Sequence, residues 1–220
     1  MHTSGGEAQQ DIIGNANFAG GEGAWTTAQG WRAGLGDSGS TGNLNLVPYI
    51  QLWNNNNNEL EAFGQLTVVT NSWQMITWVY GGCGTTSCVS LYYNGQPQLL
   101  NSELTIDTLD SESIISTDST WFGEIEYPGD LGDHYYFKGM ITGLAIWQLP
   151  GGSPLTDDDV ASLYSNGIYA VPTSVEPQYL TDFYPLNGVL DTDSVLDDLI
   201  GENTGANTGI TFTEGPTVTQ

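Results

Sequence analysis

Along residues 72–80, SWQMITWVY, apolar side chains occupy both alternating sets: Trp73, Met75 and Val79 on one, Ile76, Trp78 and Tyr80 on the other. Successive residues of a strand point to opposite faces, so such a strand is covered on both sides or lines a groove. Comparable short runs precede it in GWRAGL (30–35), NLVPYIQLW (45–53) and LEAFGQLTV (60–68), and follow it in CVSLYYNG (88–95). SIISTD, TWFGEIEY and YFKGMITGLAIWQL continue the pattern downstream. Gly, Asn and Ser clusters divide the runs as turns do. At least eight strands are predicted. The fold class that follows is all-β, a two-sheet antiparallel β-sandwich of jelly-roll type, its sheets about 10 Å apart.

One stretch breaks the rhythm. In SPLTDDDVASLYSNG, Thr156 is placed as an N-cap and Asp157, Asp158 and Asp159 occupy the positive end of a helix dipole. Val160, Leu163 and Tyr164 then fall at i, i+3 and i+4, and Gly167 ends the turn. A short helix laid against the sandwich is predicted there, with aspartates that cap rather than bind metal.

The organisation predicted is a Gly-rich polar segment over 1–24, the sandwich over 25–170, a linker over 171–178 (VPTSVEPQ) and a tail over 179–220. The run of asparagines at 54–58 reads as a solvated loop between two strands.

Charge narrows the partners. Of 220 residues, 26 are acidic and two are basic, Arg32 and Lys138, for a net charge of −24. Nucleic acid is excluded as a partner because phosphate neutralisation needs a basic patch. Membrane insertion is not expected, since no run approaches the apolar length of a spanning helix. The opening MHTSGGEAQQD has neither a basic nor an apolar signal region, which directs the expected location to a virion surface or otherwise the extracellular side.

Cys83 and Cys88 sit in GGCGTTSCVS between two strand-like runs. They are either a disulfide stapling a hairpin tip or two free thiols, and a Gly-rich exposed loop favours the disulfide.

Three elements, in order, carry a resemblance to a known family. SWQMITWVYGG resembles its tryptophan-led strand, VSLYYNGQ its following hairpin, and FKGMITGLAIWQLPGGSPLTDDDVASLYSNG its closing strand and helical turn. The chain thereby resembles the laminin-G-like branch of the concanavalin A-like lectin and glucanase superfamily over about residues 25–167. The resemblance implies a jelly roll. It departs in two places. Thr142, Gly143 and Leu144 stand where members often carry an acidic residue, and the segment resembling the family's opening, FYPLNGVLDTDSVLDDLIGENTGANTGITFTEGP (183–216), comes last. That tail completes its own sheet, begins a truncated repeat, or is donated to a neighbouring copy, which would make residues 179–216 a homo-oligomer contact.

Enzymatic members of that superfamily alternate carboxylates on one strand. Glu124 and Glu126 invite the comparison, but Pro128 and Gly129 break the strand before Asp130, and no other nucleophile constellation stands in. No enzyme is expected. Sugar sites combine aromatic faces with amide, carboxylate and backbone groups, sometimes through calcium. Most of Trp25, Trp31, Trp73, Trp78, Trp121 and Trp147 are assigned to the core. Trp53 differs because it abuts Asn54 and Asn55, and Asp130, Asp133, His134 and Tyr135 form a polar turn ahead of the closing strand. These seven are the candidate ligand residues, with Asp130 and Asp133 a candidate calcium pair and no other cofactor expected. The expected function is a non-catalytic, lectin-like surface module for glycan recognition, adhesion or decoration of a particle or cell. The alternative is a filament or shell subunit held by strand exchange through the tail.

Overall fold

A computed structural model describes residues 2–3, 9–17, 28–37, 45–54, 56, 58–110, 113–117, 119–123, 135–167, 170–186, 195–201 and 203–206. The described strands are β1 (His2–Thr3), β2 (Gln9–Gly14), β3 (Gly30–Asp37), β4 (Leu46–Trp53), β5 (Glu59–Phe63), β6 (Ile76–Tyr80), β7 (Val89–Tyr93) and β8 (Gln96–Pro97). They continue with β9 (Ile106–Asp107), β10 (Trp121–Phe122), β11 (Gly139–Met140), β12 (Leu144–Trp147), β13 (Leu180–Tyr184), β14 (Val195–Asp197) and β15 (Thr204–Ala206). The single described α-helix, α1, is Asp157–Asn166. The fold is all-β and sandwich-like.

One layer is a six-stranded antiparallel sheet in the order β10-β2-β3-β4-β5-β9. Facing it are the three-stranded sheet β6-β7-β8 and the pair β12-β13. Alternation fills the space between. Ala33 and Leu35 of β3, Ile50 and Leu52 of β4, and Leu60 and Ala62 of β5 meet Leu91 of β7, with Ile76, Trp78 and Tyr80 of β6 and Leu144 and Ile146 of β12 against them. Each fully buried Leu or Ile among them contributes about 1.5–3 kcal/mol.

The apolar residues on the other side of β6 and β7 have a separate partner. Val79, Tyr92, Leu155, Val160 and Val175 form a second cluster, with Met75, Trp147 and Leu163 packed on it. Helix α1 therefore closes the outside of the β6-β7-β8 layer, which explains why SWQMITWVY is apolar on both faces. Its start is as the sequence predicts: the Thr156 side chain accepts from the Asp159 N–H and the Asp159 carboxylate accepts from the Thr156 N–H, a reciprocal capping box. At its far end Tyr164 lies over Gly95, where a Cβ would meet the Tyr164 Cβ at 2.7 Å.

One boundary differs from expectation. Gln9–Gly14, assigned from sequence to the segment ahead of the sandwich, is an interior strand between β10 and β3. Its register shifts between Asp11 and Ile13, a bulge that sets Ile12 and Ile13 side by side and erases the alternation by which a strand is read. Leu180–Tyr184, from the tail, pairs antiparallel within the chain with Leu144–Trp147, and Gly143 N–H donates to Pro185 O at 2.9 Å.

The Cys83–Cys88 disulfide is present, at the tip of the β6–β7 connection, and there are no free cysteines. Thr86, between the two, donates through its hydroxyl and N–H to the Asp107 carboxylate at 3.0 and 3.3 Å. The stapled tip is thus fastened to the edge strand β9 of the opposite layer. Among the described residues no helix is long and apolar enough to cross a membrane.

Candidate functional site

The outward face of the six-stranded sheet is chemically unlike its inward face. Register places Arg32 beside Gln51, and Gln51 beside Glu61. On the same face Trp53 stands beside Glu59, and Tyr49 beside Phe63. Because of the bulge in β2, Asp11 opposite Gly34 and Gly14 opposite Arg32 both belong to this side. One cation therefore sits in the middle of a face built from carboxylates, amides and aromatic rings.

Arg32 is only 2% exposed. Its Nη1 donates to Asp11 Oδ2 at 3.2 Å and its Nε to Gln51 Oε1 at 2.7 Å. Gln9, with its amide oxygen turned toward the guanidinium, accepts from Nη2 at 2.6 Å and Nη1 at 2.8 Å. Three rings surround the charge: Trp53, Tyr49 and Tyr135, at 5.3, 5.4 and 5.8 Å from the guanidinium carbon to the ring centroids. A buried cation held by a carboxylate, two amides and aromatic faces has its donors largely met, the condition under which burying it is tolerable.

The remaining polar groups extend the network. The Tyr49 hydroxyl donates to Asp11 Oδ1. Burial pushes the Asp11 carboxyl above its ordinary range, opposed by the Arg32 guanidinium and the Tyr49 hydroxyl. Burial likewise raises the Tyr49 phenol well above its usual value. Trp53 Nε1–H donates to Glu59 Oε2 at 2.9 Å. Glu61 is pushed up to about 7, first by burial and further by Glu59, against the pull of Arg32. Gly36 lets the rings lie close, since a Cβ there would meet Phe63 Cε1 at 2.6 Å and Tyr49 Cδ1 at 3.4 Å.

At the open end of the face aromatic side chains reach solvent. Trp121, opposite Gly14, is 49% exposed, and Tyr136, bridged to Asp11, is 46% exposed. Trp121 belongs to the six tryptophans most of which the sequence assigns to the core; its place on the edge strand β10, on the side facing away from the core, accounts for its exposure.

Of the candidate residues, the structure brings Trp53 and Tyr135 together at the Arg32 guanidinium. Trp53 is the last residue of β4 and 1% exposed, not the rim of an edge loop. Tyr135 is anchored by its carbonyl, which accepts from the Asp11 N–H at 3.0 Å. Asn54 turns inward: its Oδ1 accepts from the N–H of Asn56 at 2.9 Å and of Asn58 at 3.3 Å, and its Nδ2 donates to Leu109 O at 3.4 Å. It organises the asparagine loop. Asn55, Asp130, Asp133 and His134 lie outside the described residues, as do Glu124 and Glu126, and with them the candidate calcium pair. Among the described residues no group of three or more acidic, His or Cys side chains is placed to hold a metal ion.

Asp11, Arg32, Gln51, Glu59 and Glu61 were not singled out from sequence. Part of the signal was there. In WRAGL and ELEAF the polar residues Arg32, Glu59 and Glu61 alternate with Ala33, Leu35, Leu60 and Ala62, which identifies the face opposite the core. Arg32, one of two basic residues in so acidic a chain, standing inside a strand, marks that face further.

No protein-family model matches the chain, and no curated protein matches it.

Proposed function

We propose that this protein is a non-catalytic, lectin-like module that binds a glycan on the outward face of its six-stranded sheet. One observation carries the reading: the rim of this face exposes Trp121 and Tyr136 and leaves Tyr135, Phe63, Glu59 and Glu61 half-buried, around a buried network of Arg32, Asp11, Gln51, Tyr49 and Trp53. Aromatic faces stack on the apolar sides of sugar rings, while fixed amides and carboxylates accept from their hydroxyls. A face serving only to be solvated needs none of the buried network, and a face serving only as core would be apolar. Binding is favoured over cleavage because Glu59, one of the two carboxylates a hydrolytic pair would need, is already engaged by the Trp53 indole.

The likeness to the laminin-G-like branch of the concanavalin A-like superfamily supports the same reading at the level of fold. The disulfide and the strongly acidic surface suit display outside the cell or on a virion. The test is a glycan array probed with the native chain and with Trp121→Ala, each with and without calcium. The expected result is a defined set of glycans bound by the native chain and weakened in the variant. A blank array in both calcium conditions would overturn the proposal.

A further inference from the structure

Away from the glycan-binding face, the second layer of the sandwich has two open strand edges. Among the described residues β6 pairs with β7 alone and β12 with β13 alone. Asn94 N–H donates to Met75 O and Gly81 N–H to Cys88 O, so by antiparallel alternation Ile76, Trp78 and Tyr80 point their N–H and C=O groups away from β7. Phe183 bonds outward to Asp198 and Leu199, so β12 is held through Leu144 and Ile146, and Ala145 points its own groups away from β13.

The two edges border one strand place. Tyr184 of β13 meets Phe122 of β10 edge-on at 4.9 Å, and β6 packs under β4, three places along the six-stranded sheet from β10. β12 fills the first place between, opposite β2; the place opposite β3 is held by no described strand. Side chains of Trp78, Leu144 and Ile146 roof the core there, over the cluster that includes Ala33 and Leu35, yet they stay half-buried, as does most of both strands. The Trp78 Nε1–H is buried without an acceptor among the described residues.

Open edges are ordinarily blunted by charge, proline, shortness or a cover. The molecule blunts its others: β8 ends on Pro97, β9 and β10 are two residues long, and Asp198 and Leu199 close the far side of β13. β6 and β12 carry neither charge nor proline, in a chain of net charge −24. We infer that the place between them receives a strand from a second copy of this chain, residues 209–213, paired to the β6 edge.

Two observations choose that occupant. The sequence GITFT at 209–213 is uncharged and alternates Ile210 and Phe212 with Thr211 and Thr213, a pattern that lays one apolar side on a core. The copy is set by reach. The tail is tied beyond β13, where Leu199 N–H donates to Phe183 O at 2.9 Å and Asn203 Nδ2 to Asp182 Oδ1 at 2.6 Å, and β15 leads away from that tie to Ala206. The open place lies across β13 and β12 from the tie, three strand spacings or about 14 Å away. Residues 207–209 extend about 10 Å, too little to bring the chain's own segment back across, so a neighbour supplies it. Such a head-to-tail contact builds rings or filaments.

The experiment is analytical ultracentrifugation of the full chain over a concentration series, at about 0.01 M and about 1 M salt, where the screening length falls from about 30 Å to about 3 Å. The donor variant is Ile210→Glu with Phe212→Glu. The acceptor variant is Ile76→Pro, which at the first residue of β6 removes an outward N–H and no bond to β7. The native chain is expected to associate reversibly, more tightly at the higher salt because copies of like charge repel less. Each variant alone loses association by at least about tenfold, and an equal mixture of the two forms dimers and nothing longer, one intact donor meeting one intact acceptor. A synthetic peptide of residues 207–215, in excess, breaks native assemblies to monomers.

A native chain that stays monomeric at every concentration and both salts would overturn the inference. Association undiminished in the donor variant would overturn the segment named. A mixture of two folded variants that stays monomeric would overturn the pairing of this donor with this edge. Thermal unfolding shows whether Ile76→Pro is folded; if it is not, the peptide decides alone, and assemblies indifferent to it sink the proposal.

Discussion

The two layers of the sandwich each have an outward face, and the two are finished in opposite ways. Outside β6 and β7, Val79 and Tyr92 are sealed under helix α1 by Val160, Leu163 and Leu155, a contact made almost wholly of apolar surface. Outside β3, β4 and β5 the buried groups are Asp11, Arg32, Gln51, Tyr49 and Trp53, held by hydrogen bonds and ring contacts. The first arrangement gains stability from every methyl it buries. The second stands or falls on complete pairing, because a buried charge that loses its partner costs several kcal/mol. A fold can close a sheet cheaply with a helix, as this one does on its other side. That it maintains a polar network instead is what the proposed binding role of the six-stranded face rests on.

The sharpest way to break the contrast is to remove the cation. Arg32→Ala strands the Asp11 carboxylate with its burial intact, and a loss of about 3–5 kcal/mol is expected in urea unfolding, read as a lower midpoint at an unchanged slope. Asp11→Leu combined with Arg32→Met should recover most of that loss, since paired apolar groups of similar volume replace a buried ion pair at little cost. If the double variant remained as unstable as the single one, the network would owe its stability to Gln51 and the three rings rather than to the ion pair.

Next in size is the link between the layers. The Cys83–Cys88 bridge closes a short loop of sequence separation 5 and holds Thr86 against Asp107 on β9. Cys83→Ser with Cys88→Ser should cost about 2 kcal/mol, the chain-entropy value for so short a loop. Hydrogen exchange should speed up at Thr108, whose N–H donates to Glu59 O across the β5–β9 edge, and not in α1. Equal acceleration in both places would mean that the disulfide braces the whole sandwich rather than the site-bearing edge.

A smaller effect belongs to pH. Glu61 binds its proton more tightly when folded, at about 7 against an ordinary 4.5, so between those values the native state carries more protons than the unfolded one. Stability present at low pH is therefore lost as pH rises through 7. Because Glu61 is partly exposed, the loss is set at about 1–2 kcal/mol, below the full value of the shift. Glu61→Gln should remove this part of the pH dependence and be the more stable protein at pH 8, with the two close together at pH 5. No such crossover would arise if water reached the carboxyl freely.

How much of this was legible in the sequence also divides along the two faces. The helix and its cap were readable because they depend on neighbours within four residues: Thr156, Asp159, Val160, Leu163. The disulfide was readable for the same reason. The strands β3, β4 and β7 showed themselves by period and turn residues, whereas β6 begins at Ile76 rather than Ser72, because Met75 N–H is taken by the Asn94 side chain at 2.9 Å in the connecting loop. The Arg32 network was not readable as a network. Its members are 21 and 19 residues from Arg32, on strands whose order only the fold sets, and the strand that supplies Asp11 hides its period behind a bulge. Trp53 and Tyr135 were found for their chemistry, and the fold then gave them a partner no local pattern names.

The smallest change tests whether the two covers are independent. Thr156→Ala removes one half of the capping box and leaves the Asp159 N–H without its side-chain acceptor, a loss of about 1 kcal/mol. The consequence should stay on the α1 side. Helical hydrogen-exchange protection falls over Asp157–Asn166, the Val79 methyl and Tyr92 ring signals shift in NMR spectra, and the tryptophan signals of Trp53 and Trp121 do not move. Glycan affinity should be unchanged, because a full layer of core, from Leu91 and Trp78 to Ile50 and Leu60, lies between the helix and the Arg32 face. A joint shift of both sets of signals would show that the sandwich transmits strain from one cover to the other, and the contrast between a stabilising face and a functional face would have to give way to a single cooperative unit.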